Sequence, residues 1–145
     1  MKTAAVMTRD VVIVSPTVSI GAAAAMMERL HVRHLPVVEA NRLVGILSDR
    51  DLLRHDRGVT CGEAMTAVPV TCSSDAPVSR VAQLMLDHRI DSIPIVNASG
   101  AVTGLVTSTD LLGLLVDHDR AQLLPFDFQV RVAGSDSEAL AAAAS

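Results

Sequence analysis

The chain has 145 residues, half of them hydrophobic, a formal net charge of −4, no Trp, no Tyr and only two Phe. An aliphatic core is available, but the aromatic platforms that stack bases and the basic stripe that neutralises phosphates are missing, which argues against nucleic-acid binding. No apolar run reaches the ~18 residues of a bilayer span, Cys61 and Cys72 match no metal-ligand spacing, and the N-terminus enters patterned sequence with no signal peptide, so a cytoplasmic protein with reduced thiols and no membrane contact is expected.

Val11-Val12-Ile13-Val14 is a short β-branched strand, followed by turn and N-cap signals in Ser15-Pro16-Thr17-Val18-Ser19. Ile20 to Leu30 is rich in Ala and Met with apolar residues at helical spacing, which places Met26 and Met27 on a core-facing helix. Leu35 to Val38 and Leu43 to Leu47 are two apolar strands joined by a tight turn, Glu39-Ala40-Asn41-Arg42. Ser48 then opens a second helix from Asp49 to about His55, and residues 54–63 form a polar linker.

After the linker the pattern starts again. Met7-Thr8 recurs as Met65-Thr66, Val12 as Val70, Met27 as Met85 and Leu35-Pro36-Val37-Val38 as Ile93-Pro94-Ile95-Val96, each 58 residues on. The turn Asn97-Ala98-Ser99-Gly100 adds one residue, so Val44-Gly45-Ile46-Leu47-Ser48 recurs as Thr103-Gly104-Leu105-Val106-Thr107 and Asp51-Leu52-Leu53 as Asp110-Leu111-Leu112 at an offset of 59. Such self-similarity marks two copies of one supersecondary unit. The expected fold class is α+β, with two β-α-β-β-α repeats packed as a pseudo-twofold pair: repeat 1 over 1–58, repeat 2 over 59–118 and an extension over 119–145. Neither half is comfortable alone, so a shared core is expected. In the extension, Leu123 to Val132 alternates weakly as an added strand, and the tail from Gly134 is expected to fray.

The repeated run Gly-apolar-apolar-Ser/Thr-x-x-Asp carries the chemistry. As structure alone, Ser48-x-x-Asp51 and Thr107-x-x-Asp110 are capping motifs at helix starts. As chemistry, a hydroxyl beside an acceptor-only carboxylate suits a ribose phosphate, whose vicinal hydroxyls are matching donors and whose anionic group is favoured at a helix start. The ordered set of Met-Thr, short strand, Ala-rich helix, apolar-Pro-apolar and Gly-apolar-apolar-Ser/Thr-x-x-Asp-Leu-Leu, present twice over roughly residues 3–116, resembles the CBS domain. That resemblance implies a tandem pair, a Bateman module, with two clefts for adenosine ligands such as AMP, ADP or ATP. S-adenosylmethionine and NAD-type compounds serve similar modules, which usually dimerise, so a homodimer is expected.

The resemblance also implies that each cleft draws on both repeats. Cleft one would use Thr107, Thr109 and Asp110 with Val12, Arg33 and His34; cleft two would use Ser48, Arg50 and Asp51 with Val70, Asp91 and Ser92. The base would lie near Val12 or Val70. Arg33 and His34 favour cleft one for a nucleotide, because Asp91 and Ser92 stand in their places in cleft two and an acid repels polyphosphate. Arg50 offsets this in part. A structural role for His34 competes with phosphate contact; His31, His88 and His118 share no metal spacing and are expected to face solvent. No GxSxG, HExxH or Cys–His pairing signal is present, so no catalysis and no bound cofactor are expected. The competing function is a ligand-independent dimerisation scaffold; either one would act on an effector protein that the sequence does not name.

Overall fold

A computed structural model of the protein describes residues 1–119, so the added strand expected at 123–132, the tail from Gly134 and nearly all of the 119–145 extension lie outside the described residues. A 3-10 turn, Thr3–Ala5, leads into α1 (Ile20–Leu30), β1 (His34–Glu39), β2 (Arg42–Ser48) and α2 (Asp49–Arg54). The second half follows with α3 (Cys61–Ala64), β3 (Thr66–Ala67), α4 (Val78–His88), β4 (Ser92–Val96), β5 (Val102–Thr107) and α5 (Ser108–Asp119). Residues Met1–Gly113 form one compact unit. No helix among the described residues is long and apolar enough to cross a membrane.

Helix α1 spans the residues its periodicity predicts. Its N-cap Ser19 accepts from the Ala22 N–H, and His31 in the left-handed conformation ends it. The two hairpins are built alike. Pro36 faces Ile46 and Pro94 faces Leu105, and both hairpins bulge at the same place, between Val37 and Val38 and between Ile95 and Val96. Neither proline costs a ladder bond between hairpin strands. The Val14 N–H donates to the Pro36 carbonyl at 3.0 Å and the Cys72 N–H to the Pro94 carbonyl at 3.2 Å. Each proline therefore turns its donorless edge toward the leading segment, away from the hairpin partner.

The leading strand expected at Val11–Val14 is reduced to a single parallel bridge, Val14 with Val37, matched by Cys72 with Ile95. β-branched propensity reports fit to a half-buried surface as much as to a ladder, and Val11 and Val12 are half-buried along a cleft instead.

The shared core expected from repeat size is replaced by two clusters, each completed by the other repeat's leading segment. Val14, Ile20, Ala23, Met27, Leu35, Val37 and Leu47 pack with Cys61 and Ala64 from the start of repeat 2. Met7, from the start of repeat 1, packs with Val81, Leu84, Met85, Ile93, Ile95 and Val106. The segment expected to be a linker thus contains a buried helical turn with Cys61 wholly enclosed. The exchange extends to the sheets. β3 pairs with β2 through Thr66 and Ile46, and Thr8 bridges Leu105 on β5.

This exchange gives the repeated glycine its reason. A Cβ on Gly45 would lie 2.2 Å from the Met65 Sδ, and one on Gly104 would lie 2.6 Å from the Met7 Sδ. Each methionine lies across the bare backbone of the opposite repeat's strand, where only glycine leaves room.

Candidate functional site

Two clefts open along the seam between the repeats. Cleft one has a cavity volume of about 420 Å³ and cleft two of about 340 Å³, both at the lower end of the range typical of small-molecule sites. The exchanged segments determine which residues meet. The Thr8 bridge to Leu105 carries Asp10, Val11 and Val12 to the start of α5, and the Thr66 pairing with Ile46 carries Val68, Pro69 and Val70 to the start of α2.

The structure brings Val12, Arg33, His34, Thr107, Thr109 and Asp110 together in cleft one. It brings Ser48, Arg50, Asp51, Val70, Asp91 and Ser92 together in cleft two. Val12 and Val70 line the walls as half-buried apolar side chains, while Arg33, Arg50 and Thr109 are exposed at the surface and Ser92 is buried.

Both carboxylates serve their own helix starts. The Ser48 N–H donates to Asp51 Oδ2 at 2.8 Å, the Ser48 hydroxyl donates to the same oxygen at 3.0 Å, and the Asp51 N–H donates back to Ser48 Oγ at 3.3 Å. The Thr107 N–H donates to Asp110 Oδ2 at 2.8 Å and the Asp110 N–H to Thr107 Oγ1 at 3.3 Å. The capping geometry is therefore real on both sides. It uses one oxygen of each carboxylate; the hydrogen bonds among the described residues leave both Oδ1 atoms unengaged. The seam is open despite the caps, so a carboxylate can hold its helix start and still offer an acceptor.

The hairpin ends lie between the clefts. His34 is opposite Ser48 in its own ladder, and Ser92 is opposite Thr107. As a result His34 and Asp91 line both clefts. They are joined by a 3.0 Å contact between Nε2 and Oδ1, with the imidazole 11% and the carboxylate 57% exposed. An ionised carboxylate only accepts, so Nε2 carries the proton and donates.

This pairing changes the charge balance on which the sequence preference for cleft one rested. Asp91 is not a bare acid facing cleft two, since its Oδ1 is engaged by His34. Among the described residues, Arg54 and Arg89 join Arg50 on the cleft-two wall, whereas Arg33 is the lone arginine on the wall of cleft one, beside Asp10, Asp91 and Asp110. Sequence reasoning missed Arg54, Arg89 and His31. The signal for Arg54 was its position one helical turn after Arg50. His31 and Arg89 hold equivalent left-handed C-caps, at φ 56° and 54°; His31 is exposed as expected but also lines cleft one. Among the described residues, no group of three His, Cys, Asp or Glu is placed to hold a metal ion.

Comparison with known proteins places two segments of the chain in one family. The model for the CBS domain matches residues 4–58 and again 61–117. The chain is 36% identical over 111 residues to the CBS domain-containing protein YhcV of Bacillus subtilis, covering 72% of this chain and 79% of that one. It is 31% identical over 104 residues to the inosine-5′-monophosphate dehydrogenase of Thermoplasma acidophilum, covering 72% of this chain; the match spans only 21% of that enzyme. Among solved structures it is similar to the CBS domain pair of protein MJ0100 in complex with 5′-methylthioadenosine and S-adenosyl-L-methionine, with TM-score 0.78, 28% identity, 81% of this chain and 98% of that one covered. It is also similar to CBSX2 of Arabidopsis thaliana. The AMP complex of CBSX2 gives TM-score 0.76, 26% identity and coverage of 82% and 98%.

Proposed function

The chain belongs to the CBS-domain family, with two copies in tandem, and on that premise we propose that it is a regulatory module that binds an adenosine nucleotide of the AMP, ADP or ATP class at the seam between its repeats. The observation that carries this reading is the open seam itself. Two clefts each hold a hydroxyl and an aspartate from one repeat against an apolar wall from the other. The unengaged Oδ1 of Asp51 or Asp110 is the acceptor for ribose hydroxyls, and Val12 or Val70 packs against the base. The adenosine ligands of the MJ0100 and CBSX2 pairs support the ligand class.

The module acts without catalysis, in the cytoplasm, by population shift. A ligand that touches both repeats favours one relative orientation of them, and an effector protein senses it. A homodimer supplies the readout surface. Its candidate contacts are Leu53 and Leu112, equivalent positions on α2 and α5 that are 88% and 60% exposed. The mass in solution checks that arrangement.

The rival function is a dimerising scaffold with no ligand, favoured by the complete capping hydrogen bonds at Ser48 and Thr107. Thermal unfolding separates the two. A ligand bound only to the folded state adds about 2.7 kcal/mol at a hundredfold excess over Kd. We expect AMP, ADP or ATP to raise the melting temperature, and Asp51→Ala with Asp110→Ala to abolish the rise. A melting temperature indifferent to every adenosine compound leaves the scaffold.

A further inference from the structure

The repeat offset pairs most wall residues of one cleft with a counterpart in the other. Arg50 and Arg89 in cleft two correspond to Thr109 and His31 in cleft one, Val68 corresponds to Asp10, and Arg54 corresponds to Gly113, which lies on α5 outside the cleft-one lining. We propose that the clefts are divided by charge: cleft two is the polyphosphate site, with Arg50, Arg54 and Arg89 gripping the phosphate tail, and cleft one takes an adenosine compound whose 5′ substituent is uncharged or cationic. This rests on the adenosine-binding reading and sharpens it.

Three arginines face three aspartates in cleft two, but one arginine faces three in cleft one. The aspartates do not separate the clefts: Asp51 and Asp110 each cap a helix start through Oδ2, and Asp91, which lines both clefts, accepts from His34. The arginines do. Among the described residues the ion pairs are Lys2 with Asp75 and His34 with Asp91, and no arginine takes part in either. The three arginines line the cavity from two elements, α2 and the C-terminal end of α4. A planar guanidinium presents a fork of donors that matches phosphate oxygens two at a time. In cleft one a phosphate tail would meet Asp10 where cleft two offers the apolar Val68, and among the described residues Arg33 is the one arginine there to bind it. The arginines are exposed, so the preference is screened by salt.

Calorimetric titration of the full chain with adenosine, AMP, ADP and ATP, at low and high salt, tests the division. Affinity should rise with each phosphate, more steeply at low salt. Arg54→Ala combined with Arg89→Ala should weaken ATP by about tenfold or more and leave adenosine affinity within error. Arg33→Ala should weaken ATP by less than that pair does. Gly113→Arg, at a position where a Cβ meets nothing within 4 Å, should bring new ATP binding to cleft one. An affinity independent of phosphate number, or a loss of ATP that follows Arg33 and not Arg54 and Arg89, overturns the division while leaving the module a nucleotide binder. Binding of no adenosine compound overturns both. Unchanged circular dichroism of the exposed arginine variants separates lost contacts from lost fold.

Discussion

Leu35 and Ile93 fill the two cores from equivalent strand positions, each wholly buried, whereas His31 and Arg89 end equivalent helices with different chemistry at the cleft edges. The contrast separates two kinds of position within one duplicated unit. Where the side chain is enclosed, volume and apolarity restrict it, and both copies carry similar residues. Among cleft-facing positions the pairs Val12 with Val70, Ser48 with Thr107 and Asp51 with Asp110 agree, whereas His31 against Arg89 and Asp10 against Val68 differ. Agreement between the halves therefore marks what the fold and the helix starts need, and disagreement marks where the proposed ligand preference would be set.

The largest effects should test the agreement. Leu35→Ala and Ile93→Ala should each cost about 2–5 kcal/mol in urea unfolding, and by similar amounts, since both residues are fully enclosed. A cost confined to one of them breaks the equivalence of the cores. Intermediate effects should appear at the glycines under the exchanged methionines. Gly45→Ala and Gly104→Ala should cost about 1–3 kcal/mol by overpacking. The former should be worse, because its Cβ would meet the Thr66 carbonyl at 2.9 Å against 3.1 Å for the Thr8 carbonyl at Gly104. Equal midpoints to wild type would mean that the methionines move aside freely.

The smallest effects concern Thr3 and Cys61, equivalent and both fully buried. The Thr3 hydroxyl donates to the Ala76 carbonyl at 2.7 Å, so Thr3→Val should cost about 1 kcal/mol. At Cys61 burial pushes the thiol above its ordinary value of 9.0, partly opposed by a backbone hydrogen bond. The folded protein therefore keeps a proton that the unfolded chain releases. The stability this contributes is complete below the ordinary thiol value and is lost as pH rises through the higher folded one. A melting series run to alkaline pH should fall more steeply for wild type than for Cys61→Ala. Parallel curves would remove the thiol as the cause.

Much of this architecture is legible in the sequence, because the signals are local. Ile20 to Leu30, the hairpins, and the caps at Ser48 and Thr107 follow from periodicity and side-chain chemistry within a few residues. The twelve cleft positions followed from the family resemblance, through the doubled motif. What stayed hidden is non-local. Nothing near Thr66 says that it pairs with Ile46, and nothing near Met7 says that it covers Gly104. The polar run at 54–63 hides the helical turn at Cys61, because most of the cluster that encloses Cys61 comes from the preceding repeat. The arginines of cleft two were missed because Arg89 follows a helix whose end, and not whose face, meets the cavity.

The reciprocal arms of the two halves bear on how the protein comes apart. Loosening either hairpin unseats a methionine and a strand residue that belong, along the chain, to the other half, so neither can open in isolation. A severed half would carry an arm without its dock and a dock without its arm. Two such halves regain both only by clasping each other, as domain-swapped subunits do. The duplication thus works as a swapped dimer whose partners have been joined into one chain.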